Sequence, residues 1–469
     1  MLFHTPAFGI FLVVCVAVAW LLARRPQARL WFLLIASYYF YACWEPRFVF
    51  LMAGCAVLDW GGALLITRQR RRAVRGAILA AVGGLHLGLL GLWKYADFVL
   101  EALAPLGLDA RPTGLVLPVG ISFFTFQGIG YVVDVAKGRV GAERSLWRVM
   151  LFLAFFPQLV AGPIVRAERL LPQLGGQGHP APRLELDDSS FSRGISLLIL
   201  GLAKKAILAD VLAREIVDRV FDLPGMYTGP EVLAAIYGYA LQIYGDFSGY
   251  SDMAVGMAVL FGISLPRNFD RPYRAASLQN FWRRWHITLS IWLRDYLYIP
   301  LGGNRGSKVA RDRNLLVTMV LGGLWHGAAW TFVAWGAMHG LWLIVERRLG
   351  LAGERTSRWR KALGVFVTFH VVCLAWVFFR APSFAGAGEM LLQLGRGGWD
   401  AAPNLNRTIL AVLALGLAEQ ALPDDWGQRV YAHFVRAPAL AQAAVLVAVL
   451  RLVGAIGQGG SSPFIYFQF

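Results

Sequence analysis

The residues best suited to chemistry stand in Gly322-Gly323-Leu324-Trp325-His326-Gly327, inside an apolar stretch over 315–345. Glycines in such a run permit close helix contact, and histidine is the side chain whose ordinary titration lies nearest neutral pH. In its neutral form His326 can act as a general base that takes a proton from an acceptor hydroxyl. Hydrogen-bonded to a carbonyl, the same ring is a packing residue. The residues alone leave both readings open. His339, on the same segment, and His370 lie among aromatic and apolar residues that suit packing, while His86, His179 and His433 have no supporting neighbours in the sequence. No histidine pair with a carboxylate or cysteine forms a zinc ligand set.

A second constellation is Tyr244-Gly245-Asp246-Phe247-Ser248-Gly249-Tyr250-Ser251-Asp252, which puts two carboxylates and several hydroxyls into an apolar run. Ionisable groups at such depth are costly, so they are paired, protonated or facing water. Asp246 and Asp252 are therefore either in structural ion pairs with an interfacial arginine or, with Ser248 and Tyr250, part of a polar cavity.

Between 277 and 300 the pattern predicts one amphipathic helix in the interface plane. Phe281, Trp285, Leu289, Trp292 and Tyr296 recur at helical spacing, Arg283, Ser290 and Arg294 fall opposite, and His286 stands near the boundary. Anchoring to lipid headgroups and binding of a phosphorylated donor both fit such a helix. Leu301-Gly302-Gly303-Asn304-Arg305-Gly306, followed by Lys308, Arg311 and Arg313, reads as a loop of open backbone amides and cations. Guanidinium groups match phosphate oxygens in bidentate fashion, which makes Arg283, Arg284, Arg294 and Arg305 donor-binding candidates, with Asn304 beside them in the loop as an amide donor. A plain basic cytoplasmic loop fits the same residues.

These groups must be positioned by helices in lipid. Of 469 residues 57% are hydrophobic and 16% charged, against about a quarter charged in a soluble domain. Apolar runs near the length of about 20 residues that crosses a hydrocarbon core recur throughout, so the fold is all-α and polytopic. The net charge of +17 lies in short clusters between those runs, as cytoplasmic loops require, and does not point to nucleic acid. The four cysteines stand in apolar surroundings and are packing residues.

The first run, 8–23, is followed by Arg24 and Arg25 and lacks a convincing cleavage site, so it reads as a retained helix with its N-terminus outside. Taking 24–29 and 68–75 as cytoplasmic, the chain crosses twice between them, turning outside at Trp44-Glu45-Pro46-Arg47. Residues 76–100 go out and 115–135 return. The stretch 149–165 has basic flanks on both sides and contains Pro157, Gly162 and Pro163, which predicts a re-entrant segment. Spans over 191–213 and 232–263 precede the longest polar stretch, 265–313, with ten basic residues. The run 315–345 is too long for one crossing and short for two, which predicts a bent hairpin or broken helix. Spans near 362–379, 406–422 and 440–453 bring the count to about eleven.

The motifs Phe281-Trp282-Arg283-Arg284-Trp285-His286, Leu293-Arg294-Asp295-Tyr296-Leu297-Tyr298, Gly302-Gly303-Asn304-Arg305-Gly306 and Leu324-Trp325-His326-Gly327 resemble the membrane-bound O-acyltransferase family, nearest its bacterial alginate O-acetylase branch. Leu117-Pro118-Val119-Gly120-Ile121-Ser122-Phe123, Phe156-Pro157-Gln158-Leu159-Val160-Ala161-Gly162-Pro163, Asp246-Phe247-Ser248-Gly249-Tyr250-Ser251-Asp252 and Phe464-Ile465-Tyr466-Phe467-Gln468-Phe469 also match, in the family's order. The resemblance implies a single domain over 1–469: N-terminal helices with the re-entrant segment over 1–165, a core with the catalytic motifs over 166–350, and C-terminal helices over 351–469. It implies a ring of helices around a thin centre where a cytosolic tunnel meets a funnel open to the outside.

By the same likeness His326 is the essential histidine and His286 the second motif histidine, with Trp325 and the Asp246, Ser248, Tyr250 and Asp252 group around them. The implied reaction, in the bacterial inner membrane, moves acetyl from cytosolic acetyl-CoA to a periplasmic esterase-like partner that modifies an exported polysaccharide such as alginate. Acetyl-CoA would be a substrate, with no bound cofactor or metal. His326 would serve as general base or as transient acyl carrier. Two alternatives are a D-alanyl transferase of teichoic acid modification, fed by a carrier-protein thioester, and a proton-coupled transporter with Asp246, Asp252 and His326 as relay groups.

Overall fold

The computed structural model describes the whole chain except residues 1, 2, 4, 108–110, 186–187, 352, 354–356, 424–425, 458–463 and 466–469. Among the described residues all regular structure is helical. The chain forms two compact units, Met1–Leu198 with Met253–Pro266, and Ile199–Asp252 with Arg267–Phe469.

In the first unit the helices Pro6–Leu21, Pro26–Ala42, Arg47–Arg68, Arg72–Leu90 and Ile121–Ala136 follow the apolar runs. Proline opens the first two, where its missing N–H costs nothing, and Thr5 caps the first by accepting from the Phe8 N–H at 3.3 Å. The turn at Trp44-Glu45-Pro46-Arg47 is closed by the Glu45 carboxylate, which accepts from the Arg47 guanidinium at 2.9 and 3.1 Å. The stretch 149–165 is broken as its prolines and glycine require: Leu146–Ala154 ends at Phe155, a four-residue helix Phe156–Leu159 follows, and the chain turns. Apart from Met150 every residue of it is buried, with Phe156 among Phe8, Phe11 and Phe40.

The carboxylate motif lies on the 32-residue helix Gly229–Leu260. In the second unit its 229–252 part packs on a π-helical stretch, Lys204–Asp210, which breaks the regular helix expected over 191–213. Wide turns of this kind collect at functional sites.

The predicted single helix over 277–300 is instead three short pieces: Leu278–Trp282, Ile287–Leu293 and the π-helical Arg294–Tyr298. The break has a physical cause outside the segment. The Ile287 N–H donates to the Asn268 carbonyl at 2.9 Å, and the Asp270 N–H donates to the Arg284 carbonyl at 2.9 Å. Residues 268–270 thus take over backbone groups that a continuous helix would pair internally. His286 sits at the break with φ +40°. The predicted faces survive: Phe281, Trp285 and Leu289 are buried, and Arg283 and Arg294 are exposed.

The run 315–345 is a helical hairpin, with arms Lys308–His326 and Trp330–Arg348 of 19 residues each, reversing at 327–329. Close approach demands glycine here. A Cβ on Gly323 would stand 2.2 Å from the Phe332 carbonyl oxygen, and one on Gly336 2.4 Å from that of Met319.

Beyond the hairpin run Arg358–Arg380, Phe384–Arg396, Arg407–Ala421, Trp426–Arg436 and Ala439–Gly457. By length and composition three described helices can cross a membrane, Arg47–Arg68, Arg72–Leu106 and Arg358–Arg380. A fourth crossing results if Arg429–Arg436 and Leu440–Arg451, bent by 120°, form one span.

Candidate active site

His326 ends the first hairpin arm and is 3% exposed. Three rings stand edge-on around it: Trp325 at 5.0 Å between centroids, Trp335 from the second arm at 5.1 Å, and Phe379 from Arg358–Arg380 at 5.3 Å. Trp335 stacks on Trp376 at 5.6 Å, which fixes that wall. The glycine crossing of the two arms brings Trp335 this near, because any larger residue at 323 or 336 would push the arms apart. Such walls orient an imidazole and exclude water, the conditions under which a neutral ring works as a base.

His286 is joined to this centre through Trp325, whose ring lies 6.0 Å away. Its Nδ1 lies 3.2 Å from Asn268 Oδ1, an oxygen that also accepts from the Thr288 N–H at 3.2 Å and the Thr288 hydroxyl at 2.9 Å. The Asn268 amide donates to the Ser251 hydroxyl at 3.3 Å. Phe247 closes the other side, 4.7 Å from the imidazole. Burial pushes the His286 pKa down to about 3, so the ring is neutral at physiological pH.

Of the two readings left open, an ion pair with an arginine or a polar cavity, the structure shows ion pairs, made with lysines. Asp246 lies 2.7 Å from Lys205 Nζ, which also meets Asp210 at 2.9 Å, and Asp252 lies 2.8 Å from Lys204. The second Asp246 oxygen accepts from the Ile465 N–H at 2.7 Å. Phe464 packs on Tyr250 at 4.6 Å, so the motif around Asp246 holds the Phe464-Ile465 segment in place. The rest of that motif, 466–469, lies outside the described residues. Ser248 is buried on the same turn of helix.

The cationic candidates divide. Arg283 and Arg305 are exposed, as is Arg294, which pairs with its neighbour Asp295 at 2.6 Å. Arg284 turns inward, donating to Asn280 at 3.0 Å and to Asp270 at 3.2 Å, and so braces the His286 break. Asn304 accepts from the Tyr298 hydroxyl at 2.7 Å. Among the described residues no group of three His, Cys, Asp or Glu side chains is placed to hold a metal.

Sequence reasoning missed two arrangements. His86 has a partner after all: its Nε2 lies 2.8 Å from Asp59 Oδ1, both side chains fully buried in the first unit. Their separation of 27 residues on different helices gave no local signal. Asn268 was not singled out, although it clamps the turn that carries His286. A lone asparagine in a polar stretch carries no such information.

Residues 142–381, which contain both motif histidines, match the sequence profile of MBOAT, the membrane-bound O-acyltransferase family. The chain is 41% identical over 415 residues to the probable alginate O-acetylase AlgI of Pseudomonas aeruginosa, covering 87% of this chain and 77% of that one. It is 37% identical over 422 residues to the peptidoglycan O-acetyltransferase of Helicobacter pylori, with 83% and 79% covered. Against the teichoic acid D-alanyltransferase of Streptococcus thermophilus the identity is 29% over 286 residues, 56% and 68% of the two chains. The buried histidine hairpin, the apolar helices and these likenesses lead to one assignment: the chain belongs to the membrane-bound O-acyltransferase family and is a membrane-embedded O-acyltransferase.

Proposed function

We propose that the protein carries acetyl from cytosolic acetyl-CoA across the bacterial inner membrane to a periplasmic acceptor, for O-acetylation of an exported, alginate-like polysaccharide. The observation that carries this reading is the imidazole of His326, buried at the tip of a helical hairpin between three aromatic rings. There it acts as general base on the acceptor hydroxyl, with neutral His286 on the far side of Trp325 as a second polar group of the site. Exposed Arg283, Arg294 and Arg305 face the cytosol and take the donor's phosphates. An esterase-like periplasmic protein receives the acetyl group and passes it to the polymer.

In this reading the chain is one functional domain of about eleven crossings, counting runs shorter than a full span, with a periplasmic N-terminus. Asp246 and Asp252 hold the helix behind His286 through their lysines, and their role is to position it. The reading is supported by the O-acetylating relatives, while the D-alanyltransferase likeness keeps a carrier-protein thioester as the competing donor.

The test is transfer of radiolabelled acetyl from acetyl-CoA to the partner by purified protein in vesicles. His326→Ala is expected to abolish transfer with folding preserved, and His433→Ala, at an exposed site, to leave it unchanged. Transfer from a carrier-protein thioester alone would move the protein to the D-alanyl branch. Full activity of His326→Ala would refute the mechanism.

A further inference from the structure

The second hairpin arm carries two N–H groups that this mechanism has not used. Trp335 and His339 are one helical turn apart, so their side chains leave the same face of Trp330–Arg348. Their ring centroids are 4.7 Å apart and each residue is 1% exposed. Trp335 is also the ring 5.1 Å from His326.

The tautomer of His339 is set by its neighbour. The Trp282 indole N–H, which can only donate, lies 3.3 Å from His339 Nδ1. Nδ1 is therefore the acceptor, and the ring proton is on Nε2. Neither His339 Nε2 nor Trp335 Nε1 has a hydrogen-bond partner among the described residues. A buried donor without an acceptor costs about 1–3 kcal/mol. Packing alone gives no reason to place two side by side, since phenylalanine would fill either site without that cost.

We propose that Trp335 Nε1–H and His339 Nε2–H together receive the carbonyl oxygen of the acyl thioester as it becomes an oxyanion, with Trp282 as the positioning residue that fixes the His339 tautomer. The proposal rests on acyl transfer at His326 as stated above. In that step the acceptor hydroxyl oxygen bonds to the thioester carbonyl carbon while its proton passes to His326. The carbonyl electron pair moves onto oxygen, where the two donors hold it. When the pair returns, the carbon–sulfur bond breaks and the leaving thiolate takes the proton from His326, giving ester and thiol. Fixed donors in a water-excluded site are effective because they need no reorganisation as charge develops.

The experiment compares Trp335→Phe, His339→Phe, His339→Gln and Trp282→Phe in vesicles with the partner and varied acetyl-CoA. Removal of either donor is expected to lower kcat by about 10²–10³-fold, with KM for acetyl-CoA little changed and the thermal midpoint in detergent retained. His339→Gln, whose amide N–H stands near the Nε2 position, should recover at least about tenfold of that loss, and Trp282→Phe should lose less than either donor variant. The proposal is overturned if KM rises with kcat intact, which would make the pair a ground-state contact, or if the His339 variants lose folding or Gln does no better than Phe, which would make it packing. Wild-type activity only with a carrier-protein thioester would correct the donor, and the same four variants would then be read with it. A wild type inactive with either donor would overturn both readings.

Discussion

Two histidines are buried to nearly the same depth in this chain and are held in opposite ways. His86, in the first unit, is fully covered and faces the Asp59 carboxylate at 2.8 Å. His326, in the second, is bounded by the edges of Trp325, Trp335 and Phe379. A carboxylate partner decides where the proton resides and ties two helices together. Aromatic walls fix the plane of the ring and exclude water. Depth of burial therefore does not distinguish the two histidines, but the chemistry of their immediate walls does.

The largest effect that tests this contrast is on stability in the first unit. Asp59→Ala leaves His86 buried without its partner, and breaking a buried pair from one side costs about 3–5 kcal/mol. Unfolding in detergent should report that loss, while acetyl transfer per folded molecule stays within about twofold of wild type. The paired change Asp59→Leu with His86→Phe should recover much of the stability, since apolar groups can replace a buried ion pair. Gly128 limits how well it can do so, because the Asp59 carboxylate occupies the space a Cβ on Gly128 would need. If Asp59→Ala abolished transfer with folding intact, the division between a structural and a catalytic histidine would fail.

Next in size is the hairpin that builds the His326 walls. Gly336→Ala places a methyl 2.4 Å from the Met319 carbonyl oxygen, a backbone atom that cannot swing aside. Overpacking of this kind costs about 1–3 kcal/mol. It would also move Trp335 relative to His326, so kcat should fall by at least about tenfold, because a misplacement of 1 Å can cost about a hundredfold. Here stability and activity should fall together, in contrast to Asp59→Ala, and measuring both on one preparation separates the two regions.

These contrasts explain how much was legible beforehand. The helical class, the broken 149–165 segment and the 315–345 hairpin followed from run length, basic flanks and glycine or proline content, which are local. His326 stood out because its motif is compact. The break in 277–300 did not, because Asn268 and Asp270 supply its hydrogen bonds from outside the segment, and the amphipathic spacing is the same with or without it. Asp246 and Asp252 were left between an ion pair with an arginine and a place in a polar cavity. Their lysines, 204 and 205, open a π-helical stretch, and that register change is invisible in hydrophobic periodicity. His339 was read as suiting packing and Trp335 was not singled out, since an unpaired N–H appears only once neighbours are known.

The smallest expected effects lie on the exposed cations, and they sharpen the comparison by showing what a site residue outside the walls does. Arg283 and Arg294 are exposed, and Arg294 pairs with its neighbour Asp295. Either residue changed to alanine should raise KM for acetyl-CoA a few-fold and leave kcat and the thermal midpoint unchanged, because a solvent-facing charge contributes ground-state attraction to phosphate. The effect should shrink as salt is raised, since the Debye length falls from about 10 Å at 0.1 M to 3 Å at 1 M. Arg284→Ala should behave differently although it is the adjacent residue, because its guanidinium holds Asn280 and Asp270 at the His286 break. It should lower kcat and stability in a salt-insensitive way. Equal, salt-dependent KM effects at 283 and 284 would show that Arg284 faces the donor and does not brace the turn.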